Sequence, residues 1–277
     1  IDSSAKVVAP RLLHGSQWGL IDPVDTPDGG NVGFHKHMAI MTHITTGYSK
    51  EPLIALLHSE FNVKHLRTLK TKQLSRMIKI LVNGHWIGSI DDPILFTETF
   101  KNYRRISLIP IETSIAWNIQ ENIIFINTDG GRLCRPIFYI DSERKPSYDN
   151  YTDELTWNNL ITGSNKKIEE YNINNFYSKE KLYGDKKLET LLAKSALLDF
   201  VDSEEAESVL ISVNKQESYL NNRYTHCEIH PSLMLGVMGN QVVYPENNQL
   251  PRDLFSCGQS KQAVSLYHSN YQNRIDK

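Results

Sequence analysis

The stretch ILVNGHWIG at residues 80–88 predicts a β-hairpin. Two apolar runs flank Asn83-Gly84, a dipeptide that suits a two-residue hairpin turn because both residues tolerate positive φ angles. Asp92-Pro93 then predicts a helix that runs to about Arg105, since proline is tolerated at the first helical position. Further strands are predicted at 115–117, 123–126 and 132–140. Together these elements predict a small β-rich module with one helix at 79–145, and an α+β chain.

The flanking residues differ in character. Residues 1–50 are loop-like and rich in turn-forming dipeptides. Between 51 and 80, apolar residues recur at helical intervals with basic residues between them, and a solvated helix face is favoured there over nucleic-acid contact. Those basic residues are Lys64, Arg67, Lys70, Lys72 and Lys79.

The second half of the chain contains a polar segment, two β-rich runs and a stretch of loops. Residues 146–187 are typical of a linker or insertion, and a helix is predicted at 188–193. The acidic run 202–207, between β-rich runs at 197–201 and 208–213, predicts a solvated turn. From Tyr224 onward the residues are typical of loops that line a site, with few long helical runs. We therefore expect a multidomain chain with regions at 1–75, 79–145, 146–187, 188–220 and 224–277.

The composition is that of a packed protein. The chain has 277 residues, of which 40% are hydrophobic and 22% charged, with a net charge of -2 and three cysteines. This charge does not favour a free nucleic-acid-binding domain, although a subunit that adds a few cations to a shared channel need not be basic. The widely spaced cysteines do not predict a disulfide framework or a four-cysteine zinc site, and an intracellular location is expected. No apolar run is long enough to span a membrane, and both ends suggest a piece of a longer protein.

Residues 226–232, with the sequence HCEIHPS, concentrate polar side chains that are costly to bury unless they are hydrogen-bonded. The spacing of His226, Glu228 and His230 differs from that of metalloprotease helices, and the second cysteine motif of zinc deaminases is missing. A metal-dependent hydrolase centred on these residues therefore ranks below a structural loop brace. A nucleophile with its base and a Walker motif are likewise not found.

Two later segments predict contacts with phosphate and ribose. Arg252 follows an amide-rich loop, and a guanidinium matches phosphate oxygens bidentately. Taken alone, however, this loop favours a surface arginine paired with Glu246 or Asp253. Lys261 and Gln262 suit phosphate and ribose or base edges, in what is otherwise a polar helix start.

Six segments, taken in order, resemble the second-largest, β-type subunit of multisubunit DNA-directed RNA polymerases. A Pro-Arg-x-Leu-His-x-x-x-Trp-Gly pattern leads into Thr-Pro-Asp-Gly, and Asn-Gly-x-Trp-x-Gly leads into Asp-Pro. The sequence TDGGRLCRP resembles the family's Thr-Asp-x-Gly-Arg-x-x-Arg-Pro. The matching segments are 10–33, 83–93, 128–136, 202–208, 225–232 and 248–262.

The resemblance implies a fold and an organisation. It implies an internal fragment that holds the end of a fork region, two small β-rich external modules and the start of a β-rich hybrid-binding domain. Composition, together with the insertion at 141–180, hints at a large cytoplasmic DNA virus such as a poxvirus. The expected location is cytoplasmic and in the virion if the protein is viral, and nuclear otherwise.

The resemblance also implies roles for particular residues. Arg252 would face the triphosphate of the incoming nucleotide, and Lys261 and Gln262 would approach the RNA of the hybrid. Arg11 and Asp28 would lie at the fork-region edge of the site, with Asp28 shorter than the glutamate common in the family.

The implied activity is nucleotidyl transfer, to which this fragment contributes without catalysing alone. Mg²⁺ would be bound mainly by the largest subunit, and no zinc is expected in this fragment. Expected partners are the largest subunit and other polymerase subunits, the DNA template, the RNA product and nucleoside triphosphates, with no membrane. The alternative from another class is a non-catalytic protein-interaction scaffold.

Overall fold

The computed structural model describes residues 5, 7–141, 144–149, 196–214, 216–217 and 221–269, with side chains to residue 263. The chain divides into two compact units, a smaller one of residues 1–42 and 230–277 and a larger one of residues 43–229. The helix predicted at 188–193 and the polar segment from 150 onward lie outside the described residues.

The larger unit contains ten strands and four α-helices within its described part. The helices are α1 (Lys50–Ser59), α2 (Thr71–Leu74), α3 (Pro93–Arg105) and α4 (Ser203–Ser208). The strands are β1 (His43–Ile44), β2 (Lys64–His65), β3 (Ile78–Val82), β4 (His85–Ile90), β5 (Ser114–Asn118), β6 (Ile123–Asn127), β7 (Leu133–Tyr139), β8 (Leu198–Asp202), β9 (Ile211–Ser212) and β10 (His226–Cys227).

The predicted hairpin and the helix after it are confirmed. β3 and β4 pair antiparallel, and Asn83 and Gly84 adopt φ angles of 47° and 78°. Helix α3 begins at Pro93, where the Asp92 carboxylate accepts hydrogen bonds from the backbone N–H groups of Ile94 and Leu95, each at 3.1 Å. The turn and the helix cap depend on interactions within a few residues, so both are retained in the folded protein.

The first sheet has the strand order β2-β4-β3-β6-β5. Its inner face and one side of α3 enclose the main apolar core, which also takes residues from α1 and the turn after it. The buried side chains of this core include Leu57, Phe61, Ile80, Val82, Phe96, Phe100, Ile124 and Ile126.

The helical spacing in 51–80 corresponds to α1 and to the single turn of α2, and not to one continuous helix. Asn62 adopts a left-handed φ of 54°, which ends helical geometry and turns Phe61 and Val63 into the core. The chain then forms β2, a 3-10 helix at Leu66–Thr68 and the single turn of α2. The leucines at helical intervals therefore belong to several short elements.

The second sheet is built around β7. Strands β1, β8 and β10 all pair with β7 antiparallel, and β9 pairs with β10 in parallel. Glu112 holds the first of these strands, because its carboxylate accepts hydrogen bonds from the Thr46 backbone at 2.8 Å and lies 3.0 Å from His43 Nε2. Segments far apart in the sequence thus meet on one central strand.

The predicted solvated turn at 202–207 is wrong, because these residues form helix α4 with a buried carboxylate. The Asp202 side chain accepts a hydrogen bond from the Glu205 backbone at 2.8 Å and so caps the helix. Glu205 is 0% exposed. A carboxylate is buried at this depth only when a cation compensates it, and the cation is Arg104.

A buried ionic network joins α3 to both sheets. The Arg104 guanidinium donates two hydrogen bonds to the Glu205 carboxylate, at 2.7 and 2.9 Å, and a third to the Thr113 carbonyl at 2.9 Å. Arg105 donates to both oxygens of Asp199, at 3.0 and 2.6 Å. Asp199 and Glu205 thereby connect β8 and α4 to one helix of the first module.

The smaller unit is built from short 3-10 turns and one long helix, α5 (Leu250–Ser269). The buried carboxylate of Asp22 connects its two chain segments, since it accepts hydrogen bonds from the Val24 backbone at 2.9 Å and the Gly236 backbone at 2.7 Å. A Cβ at Gly236 or Gly239 would lie only 2.6 or 2.8 Å from Asp22 Oδ2, so a larger residue there would have to displace this carboxylate.

The expectation of loops with few helical runs after Tyr224 holds as far as residue 249, where the chain forms β10 and short 3-10 turns, but it is wrong for residues 250–269. α5 is 20 residues long, and β10 is the only strand among the described residues after 224. Pro251 and Gly258 obscure the helix in the sequence. Pro251 lies in the first turn, where its missing N–H is not needed, and a single glycine is tolerated in a helix.

Replacing Arg104 by Met should destabilise the larger unit strongly, because it leaves Glu205 buried without its bidentate partner. We expect a loss of roughly 3–5 kcal/mol in the free energy of unfolding, measured by urea denaturation. Arg67→Met is the matched control, since Arg67 is exposed, and it should change stability by less than about 0.5 kcal/mol. Equal effects of the two substitutions would contradict the assigned role of the network.

Candidate functional site

Helix α5 displays Arg252 in its first turn, and not on a loop as the sequence suggested. Asp253, Leu254 and Cys257 are 4%, 5% and 1% exposed and fix one side of the helix within the unit. Arg252 lies on the opposite, exposed side. Within the described part of the chain its guanidinium has no hydrogen-bond or ion-pair partner, and its backbone N–H donates to the Gln249 carbonyl at 2.9 Å. The predicted alternative, a pair with Glu246 or Asp253, is therefore not formed.

Lys261 is engaged inside the smaller unit. Its ammonium lies 2.7 Å from Asp25 Oδ1 and 2.9 Å from His37 Nε2. The Asp25 side chain is 7% exposed and that of Lys261 is 41% exposed. The ion pair therefore joins α5 to the turn-rich segment near the start of the chain. His37 was not predicted as a member of this group, and its proximity arises only from the fold.

Helical geometry places Lys261 on a different side of α5 from Arg252 and Gln262. Successive residues rotate by about 100°, so Lys261 lies half a turn away from Arg252 and roughly 14 Å further along the axis. Gln262 is exposed and lies on the same side as Arg252 and Gln259. The exposed side thus carries Arg252, Gln259 and Gln262, whereas Lys261 lies against Asp25.

Arg11 and Asp28 hold the loop that connects them. The Arg11 guanidinium donates hydrogen bonds to the carbonyls of Gly30 at 2.7 Å and Val32 at 2.9 Å, and it lies over the Phe34 ring at 4.2 Å. The exposed Asp28 side chain accepts a hydrogen bond from the Gly29 backbone at 2.8 Å. Both side chains fix the backbone of this turn, and the Asp28 carboxylate remains open to solvent.

His226, Glu228 and His230 each bond to different groups. The Glu228 carboxylate forms a bidentate pair with Arg135 at 2.6 and 2.7 Å. The buried His226 ring lies 3.3 Å from Asp199 Oδ2. His230 accepts a hydrogen bond from the Ser232 backbone at 3.1 Å and caps the turn that follows.

These contacts bear on the alternative that His226, Glu228 and His230 form the metal site of a hydrolase. Among the described residues, no group of three or more His, Cys, Asp and Glu side chains could hold a metal ion. The hydrolase alternative therefore gains no support from the geometry.

Burial shifts the pKa values of several groups in opposite senses. It raises the pKa of Cys134 to about 12 and that of Cys257 to about 11, with nearby carboxylates adding to both shifts. Both thiols therefore remain protonated at neutral pH, and neither is an activated nucleophile. Burial lowers the pKa of His226 below 6.5, against the opposing effect of its hydrogen bond to Asp199. Desolvation raises the pKa of Asp199, but Arg105 and Arg104 outweigh it and hold that pKa well below 3.8.

Comparison with known proteins gives matches in both compact units. A family model described as RNA polymerase Rpb2, domain 3, matches residues 1–44. A second, described as RNA polymerase Rpb2, domain 4, matches residues 80–141. The first match ends near the boundary at 42, and the second covers β4, α3 and the strands that follow.

Curated relatives match along the whole chain. It is 31% identical to the RNA polymerase II subunit RPB2 of Encephalitozoon cuniculi, over 100% of this chain and 22% of that protein. It is 32% identical to the RNA polymerase II subunit 2 of Arabidopsis thaliana, with the same coverage of 100% and 22%. It is 33% identical to the RNA polymerase III subunit RPC2 of Schizosaccharomyces pombe, over 99% of this chain and 21% of that protein.

These matches identify the class of this chain as a polymerase subunit. The chain belongs to the family of second-largest subunits of DNA-directed RNA polymerases. It spans about a fifth of the length of the curated relatives named above. In the described residues, no helix is both long and apolar enough to cross a membrane.

The lowered pKa of His226 predicts a pH-dependent stability. The folded state holds the ring neutral and the unfolded state binds a proton near pH 6.5, so this contribution is present above 6.5 and is lost as the pH falls below it. His226→Gln should flatten the decline in the free energy of unfolding between about pH 7 and pH 5. His85→Gln, at an exposed histidine in the same unit, should leave the decline unchanged. An identical pH profile for wild type and His226→Gln would refute the prediction.

Proposed function

We propose that this chain forms part of the nucleotide-binding and RNA–DNA hybrid-binding wall of a DNA-directed RNA polymerase. Template-directed RNA synthesis would require the largest subunit and other polymerase subunits, together with the DNA template and nucleoside triphosphates. The observation that carries the proposal is the exposed Arg252 at the start of α5, without an intramolecular partner among the described residues. Membership of the polymerase family indicates that the ligand of Arg252 would be a nucleotide.

The position of Arg252 suits a triphosphate. A guanidinium presents a rigid fork of donors that matches phosphate oxygens and stays charged at every physiological pH. The first turn of a helix adds the positive end of the helix dipole, which also attracts phosphate. The buried contacts of Asp253, Leu254 and Cys257 hold the backbone in place. Arg252 would therefore stabilise the charge of the incoming nucleotide.

Lys261 and Gln262 would contribute to hybrid binding in different ways. Gln262 is exposed, so its amide is free to bond ribose hydroxyls or base edges. Lys261 shares its charge with Asp25, which orients the ammonium and reduces its net attraction for phosphate. We assign Lys261 one phosphate contact at most, and Arg11 and Asp28 to the edge of the site.

Nucleotidyl transfer by polymerases uses two Mg²⁺ ions, which stabilise the attacking and leaving oxygens. The described residues do not fit such a site, since their His, Cys, Asp and Glu side chains form no group of three or more that could hold a metal ion. The resemblance to polymerase subunits implies that the Mg²⁺ ligands lie mainly on the largest subunit, and we assign none of them to these residues.

Arg252→Ala in the assembled enzyme should weaken nucleotide use. We expect kcat/KM for single-nucleotide addition to fall by roughly 10²-fold, as when one donor to a developing charge is removed. Arg252→Lys should restore only part of the loss, because an ammonium cannot form the bidentate contact. Gln259→Ala, two turns along the same exposed side, is the control and should have little effect. Normal nucleotide dependence of Arg252→Ala would exclude the proposed role.

Lys261→Ala should shorten the half-life of the transcribing complex. If its ammonium contacts phosphate, the slope of log half-life against log salt should decrease by about 0.7–0.9. Asp25→Asn is the matched variant, since it breaks the ion pair but keeps the ammonium, and it should retain the wild-type slope. The same behaviour in both variants would show that Lys261 acts only through its pair with Asp25.

A further inference from the structure

Residues 64–79, which we call the basic segment, carry an unusual concentration of positive charge. The segment contains six cations, and no aspartate or glutamate occurs between Glu60 and Asp91, although the chain as a whole has a net charge of -2. These cations are Lys64, Arg67, Lys70, Lys72, Arg76 and Lys79.

Four of these cations are both exposed and unpaired. Arg67, Lys70, Lys72 and Arg76 are exposed, and their side chains have no hydrogen-bond or ion-pair partner within the described part of the chain. Lys64, by contrast, is neutralised by Asp91 at 2.6 Å. The basic charge of the segment is therefore available to a ligand and is not used to stabilise the fold.

The basic segment is anchored to the first sheet. β2 pairs with β4 through Lys64 and His65, and the 3-10 helix that follows packs beside β4. Met77 and Ile78 are 7% and 9% exposed and hold the other end of the segment in the core. The unpaired cations are thus displayed between two fixed points, which limits the entropy lost when a ligand binds.

An exposed aromatic ring lies beside the same strands. Trp86 on β4 is 40% exposed, and its indole N–H donates to the Gly88 carbonyl at 2.9 Å, which fixes the ring. Lys79 Nζ lies 5.6 Å from the centre of that ring. A fixed indole beside Lys79, on the strand with which the basic segment pairs, combines a stacking surface with phosphate attraction, the combination that single-stranded nucleic acids require.

We propose that the basic segment and Trp86 bind single-stranded nucleic acid. The cations would contact the phosphodiester backbone, and Trp86 would stack on a base. An acidic peptide would satisfy the cations but has no use for the fixed indole. A duplex would need an element able to enter its groove, and α2, with four residues, is too short. The proposal is independent of the role of Arg252, which lies in the other compact unit.

The test measures binding of fluorescein-labelled oligo(dT) and oligo(rU) of about 20 nucleotides to the full chain by fluorescence anisotropy. The test variant replaces Arg67, Lys70, Lys72 and Arg76 by Gln. It should bind at least about tenfold more weakly at roughly 50 mM salt, with a log–log salt slope lower by up to about 2.8. The control variant replaces four other cations of the chain by Gln, with the same loss of charge, and should retain the wild-type affinity. The control positions are Lys36, Lys50, Arg144 and Arg223.

Trp86 variants separate stacking from simple charge attraction. Trp86→Leu should weaken oligo(dT) binding by at least about fivefold, whereas Trp86→Phe keeps an aromatic ring and should retain most of it. Thermal unfolding checks that both variants fold, and the pair is compared only at equal stability. Comparable losses in the basic-segment and control variants would overturn the proposal. Equal competition by poly-glutamate, or by a duplex of the same length, would also overturn it and assign the segment to an acidic protein or to duplex DNA.

Discussion

The larger unit depends on the pairing of Arg104 with Glu205, two groups that are 2% and 0% exposed. A buried charge of either sign is strongly unfavourable by itself, so each residue needs the other to remain in the interior. Arg104 also donates to the Thr113 carbonyl, and Glu205 accepts from the Ile115 backbone at 3.3 Å. One ion pair therefore fixes α3, β5 and α4 at the same point.

The same network reaches the second sheet through Asp199. That carboxylate on β8 is shared by Arg105 and the His226 ring on β10, and Arg104 lies 3.6 Å from it. Arg105 also stacks on Tyr139 of β7, 3.6 Å from the ring centre. The arrangement of the strands in the second sheet therefore depends on ion pairs formed by α3, a helix of the first module. This explains why polar residues such as Asp199 and His226 are buried.

The parts of the fold that the sequence predicts are those controlled by local interactions. The Asn83-Gly84 turn and the Asp92 cap act over two or three residues, so the β3–β4 hairpin and α3 are predictable from their neighbours alone. Helix α4 is not, because its burial depends on Arg104, which lies 101 residues away. The position of Lys261 cannot be predicted from nearby residues for the same reason, since its partner Asp25 is 236 residues distant. The helix that carries Arg252 is hard to predict because Pro251 resembles a helix breaker.

The net charge of the chain conceals how its charges are used. Carboxylates such as Glu205, Asp199, Glu228 and Asp25 each compensate a cation inside the fold. These internal pairs contribute little to the long-range attraction of a polyanion, because the fields of the two opposite charges largely cancel beyond a few ångströms. Among the described residues, the exposed cations without an ion-pair partner include Arg252 and four residues of the basic segment. A near-neutral composition is therefore compatible with strong local attraction for phosphate, and overall charge carries little information about the ligands of a protein in which several acidic residues are used in buried ion pairs.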